Sequence, residues 1–306
     1  MTKLEWKRPI KVTDLSFRRA RRFFCRILPL MWLLPSVALR GQERPVEAPR
    51  TYVYRKIDGR ALKAYLFQPS RDTSKRAAIL LFHGGGWQLG EAAWTFDRAR
   101  EFARKGIVAI SIDYRLALDG LSPVEGVEDA CAAFTWVRAH AGEFGIDPAR
   151  VAGYGVSAGG HLAAAAATLS AVRGTPVSTS ARPNAMLLYS PALNMAEDPY
   201  FVRLMKGHGN PHDYSPAAFV SEKLPPTLII QGEEDSIVLA KDAKAFCADA
   251  ARMGARCELH LYPGVGHLLT RNVKVQYKDF DSDPADAKNA HESEDAFLAS
   301  LGYTNK

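Results

Sequence analysis

"RVAGYGVSAGGHLAAAAATLS", residues 150–170, decides the fold. It opens as a buried-strand pattern and closes as an alanine-rich helix. Between them lies G-x-S-x-G, as Gly155-Val156-Ser157-Ala158-Gly159. Alone the five-residue pattern is weak, because small residues are common. A strand that turns sharply into a helix gives it weight. Such a turn forces its middle residue into a strained backbone, and small neighbours let it close. Ser157 is then expected at the C-terminal edge of a sheet, above a helix N-terminus that favours developing negative charge. A serine N-cap beside a glycine turn would look similar locally, so the rest of the chain has to decide.

Outward from this stretch, near-continuous apolar runs recur: "AAILLFH" at 77–83, "IVAISID" at 107–113, "RVAGYG" at 150–155, "AMLLYS" at 185–190, "PTLIIQG" at 226–232 and "CELHLY" at 257–262. Uniformly apolar strands are buried on both faces, as in a parallel sheet. Asp58-Gly59, between "TYVYRK" and "ALKAYLFQP", signals an antiparallel hairpin. Helical patterns separate the later runs. One starts with Ser122, Pro123 and Glu125, a capping-box signature. Another, 240–254, ends on Gly254, and a third spans 290–303. The alternation predicts an α/β fold: a doubly wound, mostly parallel eight-stranded sheet flanked by helices, with the hairpin at one edge. There is no internal repeat and no low-complexity tract.

A serine hydroxyl needs a base to take its proton. His267, in "YPGVGHLL", follows the strand "CELHLY" and can reach across the sheet edge. His260, inside that strand, reads as packed, and His161 as structural. His208 and His212 sit in an irregular stretch and could line a pocket. The base needs an orienting carboxylate. "LIIQGEEDSIV" offers Glu233, Glu234 and Asp235 beyond another strand end. Asp235 is preferred because Ser236-Ile237-Val238 turns the chain back into the fold; Glu234 is the fallback.

"LLFHGGGWQLG", 80–90, places three glycines behind a core strand. Acyl transfer builds an oxyanion, and backbone donors aimed at it are worth roughly 3–4 kcal/mol each. Glycines there allow close approach, and positive φ where required. One expected donor is the amide of Ala158, the residue after the nucleophile, and the other comes from this glycine loop.

"HGGGW", "DYRL" at 113–116, "GVSAGGH", "GEEDSIV" and "GVGH" occur in this order. Over residues 51–306 the chain resembles the α/β-hydrolase superfamily, and within it the HGGG carboxylesterases related to hormone-sensitive lipase. It also looks like esterases that act on plant-polysaccharide esters. The resemblance implies Ser157, Asp235 and His267 as the catalytic triad, Gly85, Gly86 and Ala158 as the oxyanion hole, and His83 as a brace for the glycine loop. It implies no cofactor and no metal. Two positions depart from the lipase-like pattern: Val156 where Asp is common before the serine, and Gln231 where His often precedes the acid loop. Only Asn194 to Leu224 is available as a small cap, which argues against long-chain lipids. A polar insertion, 270–288, follows the base. Trp87, Tyr114, Tyr189 and Tyr200 are candidate pocket rings.

The expected activity is a serine ester hydrolase that forms an acyl-enzyme on small-acyl esters, acetyl or feruloyl esters of sugars included. A serine peptidase of this fold is a competing reading, but its usual propeller domain is missing from this sequence. A noncatalytic ligand-binding relative is another, but such proteins generally lose triad members and this chain keeps all three.

The formal net charge is +7. Nine Lys/Arg against two Asp/Glu in residues 1–39 account for all of it, and 40–306 carries 31 of each sign. The folded part therefore has no electrostatic footprint for nucleic acid. Residues 27–39 form an apolar run suited to an export signal and too short to span a bilayer. "ARRFFCR", 20–26, resembles a twin-arginine motif, and Ala38 ends a plausible cleavage site. The expected organisation is a signal over 1–39, a linker over 40–50 and a catalytic domain over 51–306. The expected location is periplasmic or extracellular, with membrane contact only through an uncleaved signal. Cys25, Cys131, Cys247 and Cys257 make no disulfide framework, and whether Cys247 pairs with Cys257 stays open. Oligomeric state is not legible.

Overall fold

The computed structural model describes residues 48–70 and 75–304. The signal expected over 1–39, with Cys25 and the cleavage point at Ala38, lies outside them, as does most of the linker. Among the described residues the strands are β1 (Arg50–Ile57), β2 (Arg60–Phe67), β3 (Arg76–Phe82), β4 (Val108–Ile112), β5 (Ile146–Val156), β6 (Ala171–Val172), β7 (Thr175–Pro176), β8 (Ala185–Tyr189), β9 (Thr227–Gly232) and β10 (Cys257–Tyr262). The helices are α1 (Phe96–Arg104), α2 (Pro123–Ala139), α3 (Ala141–Phe144), α4 (Ala158–Thr168), α5 (Pro199–Met205), α6 (Ala240–Arg252) and α7 (Pro284–Ser300).

Eight strands form one sheet in the order β1-β2-β4-β3-β5-β8-β9-β10, while β6 and β7 make a separate ribbon. β1 and β2 are antiparallel, β2 meets β4 antiparallel, and from β4 onward every pairing is parallel. The expected mostly parallel sheet with an edge hairpin is borne out.

The apolar runs feed two cores because strand side chains alternate between faces. Ala78, Leu80 and Phe82 of β3 join one core with α2, α4 and α6. Ala77, Ile79 and Leu81 join the other with α1 and α7. Burying a ring such as Phe82, Phe102 or Phe246 stabilises by roughly 1.5–3 kcal/mol each. Ser122 caps α2 as its signature predicts, accepting from Val124 N, with Glu125 bonded back to Ser122 N at 2.8 Å. The buried Arg98 pairs with Glu294 and so ties α1 to α7.

One element differs from expectation, and the pairing of Cys247 with Cys257, left open by the sequence, is answered. α7 starts at Pro284 rather than 290, because Asp283 accepts from Ala285 N at 2.9 Å and Asp286 N at 3.1 Å. The polar insertion therefore shortens, and its last residues are a capped first turn. Cys247 of α6 and Cys257 of β10 form a disulfide, with Cα atoms 5.2 Å apart. The residues between them turn back sharply enough to bring helix and strand within bridging distance.

Candidate active site

β5 runs into Ser157 at its C-terminal end, and α4 begins one residue later. Ser157 has φ 53 and ψ −115, the strained backbone the sharp turn demands. Its side chain caps nothing in α4, so the N-cap alternative does not hold. Instead Ser157 Oγ donates to His267 Nε2 at 3.0 Å. The ring's other nitrogen, Nδ1, donates to Asp235 Oδ2 at 2.8 Å. All three side chains are largely buried.

Asp235 is held from four directions. Oδ1 accepts the amides of Ile237 at 2.9 Å and Val238 at 2.8 Å. Oδ2 accepts from His267 and from Gln231 Nε2 at 2.9 Å. That geometry, with two backbone donors on one oxygen, keeps the other aimed at the imidazole and fixes its tautomer. Glu234, the fallback, is exposed, and His267 Nδ1 bonds to Asp235 instead. Sequence reasoning named Gln231 only as a departure and missed Gln276, which reaches the acid and base loops together. No signal marks it beyond an amide in a polar stretch.

The glycine loop leaves β3 at His83. Gly85 and Gly86 have φ of +110 and +57, values that side chains resist. Among the described residues the amides of Gly85, Gly86 and Ala158 donate to no protein acceptor. "DYRL" builds the support. Tyr114 stacks on His83 with centroids 4.3 Å apart and donates to His83 O at 2.9 Å. His83 Nδ1 donates to Gly84 O at 2.7 Å. Arg115 grips Asp129 of α2 through Nε at 2.9 Å and Nη2 at 3.0 Å. From α5, the Tyr200 hydroxyl donates to Gln88 Oε1 at 2.8 Å and lies 3.3 Å from Gly86 O. Burial pushes the His83 imidazole down to about 4, so it is a neutral brace near pH 7.

Ser157 and His267 open into a cavity of about 1090 Å³. The short α5 segment supplies Asp198, Tyr200 and Arg203 to its lining, and the expected cap is this small. Trp94, Ile237, Leu239, Tyr277 and Phe280 give it a substantially exposed apolar mouth. Trp87 and Tyr200 line the cavity as anticipated. Tyr114 and Tyr189 do not: both rings are buried in the cores, Tyr114 under the glycine loop and Tyr189 beside Tyr154 and Leu187. A strand-end tyrosine faces whichever side its register dictates, and for Tyr189 that is the far core. Nor do His208 and His212 line it; His208 faces Glu125 and His212 packs on Phe219.

His161 is enclosed. It accepts from Trp87 Nε1 at 3.1 Å and donates from Nε2 to Tyr214 O at 2.8 Å. Burial pushes it down to about 4, so it is a satisfied neutral ring. Among the described residues no group of three or more His, Cys, Asp or Glu is placed to hold a metal ion.

A family model described as the alpha/beta hydrolase fold matches residues 79–207. A propionate-bound thermophilic esterase from the planctomycete Thermogutta terrifontis superposes with a TM-score of 0.75 at 30% identity, over 85% of this chain and 96% of that one. Isoprenylcysteine alpha-carbonyl methylesterase ICME of Arabidopsis thaliana is 27% identical over 291 residues, 84% of this chain and 67% of its own. Carboxylesterase NlhH of Mycobacterium tuberculosis is 43% identical over 101 residues, 32% of this chain and 31% of its own. The chain spans about half the length, 47%, of another Arabidopsis relative, ICMEL1.

Proposed function

This chain belongs to the α/β-hydrolase carboxylesterases, and from that premise we propose that it hydrolyses small-acyl carboxylic esters through a serine acyl-enzyme. The observation that carries the reading is the hydrogen-bonded line from Ser157 Oγ through His267 to Asp235. Ser157 attacks the ester carbonyl while His267 Nε2 takes its proton. The amides of Gly85, Gly86 and Ala158 receive the developing oxyanion. His267 then returns the proton to the leaving alkoxide, and water repeats the sequence to free the acid and Ser157.

The short acyl range has two supports. The cap holds one short α-helix and two 3-10 turns, and the Thermogutta esterase was solved with propionate and with butyrate bound. Acetyl or feruloyl esters of sugars are a second reading, favoured by the polar groups Asn194, Asp198 and Asp242 in the cavity lining. We also propose export, on the strength of the basic and apolar head over 1–39; the mass of the mature N-terminus tests it.

A panel of nitrophenyl esters of increasing acyl length, with acetylated xylan and feruloylated sugars, tests the activity. Turnover should peak at short acyl chains and vanish in folded Ser157→Ala. Paraoxon, which phosphorylates the Thermogutta esterase, should add one diethylphosphoryl group to the peptide holding Ser157. Full turnover in Ser157→Ala would overturn the site.

A further inference from the structure

We propose that Gln276 is a positioning residue for this hydrolysis, clamping the loop that presents Asp235 to the loop that presents His267. The inference rests on the serine-esterase reading above.

Gln276 follows the single turn Val273–Val275. Its side chain lies 2% exposed, although the stretch around it is polar. A buried primary amide has two donors and an acceptor oxygen to satisfy. Oε1 accepts the backbone amide of His267 at 2.8 Å and that of Ser236 at 3.1 Å. Nε2 donates to Glu234 O at 3.0 Å and to Val273 O at 2.9 Å. One arm thus returns to its own turn. Two arms hold the peptides on either side of Asp235. The last holds the peptide of His267 itself.

Gly266 is part of the same fit. A Cβ there would lie 2.6 Å from Gln276 Oε1, so this position next to the base leaves room for the amide. The roots of the two loops are joined independently, through Glu233 N to Tyr262 O at 2.9 Å and Glu234 N to Val265 O at 3.0 Å. Removing Gln276 should therefore leave the fold standing and loosen the tips. The tips set the Asp235–His267–Ser157 alignment, and a misplacement of about 1 Å in such an arrangement can cost roughly 100-fold in rate. Gln276 does not line the substrate cavity, so its effect passes through Asp235 and His267.

The test compares wild type, Ser157→Ala and Gln276→Met on nitrophenyl acetate and butyrate, with circular dichroism to confirm folding at the assay temperature. Methionine keeps the length and loses all four hydrogen bonds. We expect kcat to fall about 10–100-fold with KM within about threefold of wild type. A folded Gln276→Met with kcat within twofold of wild type overturns the proposal, however far its thermal midpoint drops. If Gln276→Met does not fold, Gln276→Glu decides. It keeps an acceptor oxygen and loses both donors, so reduced kcat at unchanged KM supports the clamp and wild-type kcat overturns it. Full turnover in Ser157→Ala overturns the esterase site and the clamp together. A dead Ser157→Ala beside fully active Gln276 variants overturns the clamp alone.

Discussion

A Cβ added to Gly159 would lie 2.6 Å from the carbonyl carbon of Phe82, closer than any allowed contact. The first turn of α4 and the end of β3 are thus pressed together without room for a methyl group. This contact sets the elbow beside the glycine loop, so the expected nucleophile and two of its expected oxyanion donors share one packing constraint. Gly159→Ala should cost about 3 kcal/mol, read as a drop in the denaturation midpoint, with activity falling in proportion to the folded fraction and beyond it.

Gly86 has a different problem, a φ of +57. Gly86→Ala should lose about 1–2 kcal/mol of stability for the left-handed backbone. Turnover should fall far more, about 100-fold in kcat, because the amide's aim changes. Steady-state kinetics beside a thermal melt separates the two; comparable losses in both would assign the glycine to the fold alone.

Tyr200→Phe removes one hydroxyl that joins α5 to the glycine loop and leaves Gln88 Oε1 without its donor. Such a loss is worth about 1 kcal/mol. We expect kcat/KM on short esters to fall about 3–10-fold with the thermal midpoint nearly unchanged. Unchanged kinetics would show that the glycine loop holds its shape without the cap.

The pH dependence of stability has a definite sign at His161. Burial lowers its pKa from 6.5 to about 4. Between those values the unfolded chain binds a proton that the folded chain refuses. Stability from this ring is therefore complete above about pH 6.5 and is lost as pH falls toward 4, at up to roughly 1.4 kcal/mol per pH unit. His83 acts in the same direction. His161→Gln should reduce the slope of unfolding free energy against pH in that window by about one proton. Denaturant titrations at several pH values between 4 and 7 measure it; an unchanged slope would mean His161 does not titrate as its burial demands.

The parallel sheet was legible because its strands are locally uniform: "AAILLFH" and "PTLIIQG" can hardly be anything but buried. The order Ser157, Asp235, His267 was legible because each residue lies in the turn or loop that leaves the C-terminal end of such a strand. Gln276 was not, since its partners Glu234, Ser236 and His267 are met only after the loops have folded. The faces of Tyr114 and Tyr189 escaped for a related reason: a ring beside a site in sequence can point into either core, and register alone decides. Asp283-Pro284 was a readable helix start that the surrounding polar residues obscured.

The excursion that carries α5 leaves β8 at Tyr189 and returns at Thr227, the first residue of the neighbouring β9. Its two anchor points lie at opposite ends of adjacent parallel strands, since Thr227 pairs with Met186 and Tyr189 with Ile230. Closing a longer or shorter excursion between fixed neighbours costs little, about 0.6 kcal/mol per doubling of length. This makes the segment a natural graft site: acyl range can be exchanged there like a tool head, while Ser157, Asp235 and His267 stay where the ends of their own strands place them. Two conditions travel with every graft. The incoming segment must again present a donor to Gln88, as Tyr200 does now, and a carbonyl to the buried His161, as Tyr214 does now.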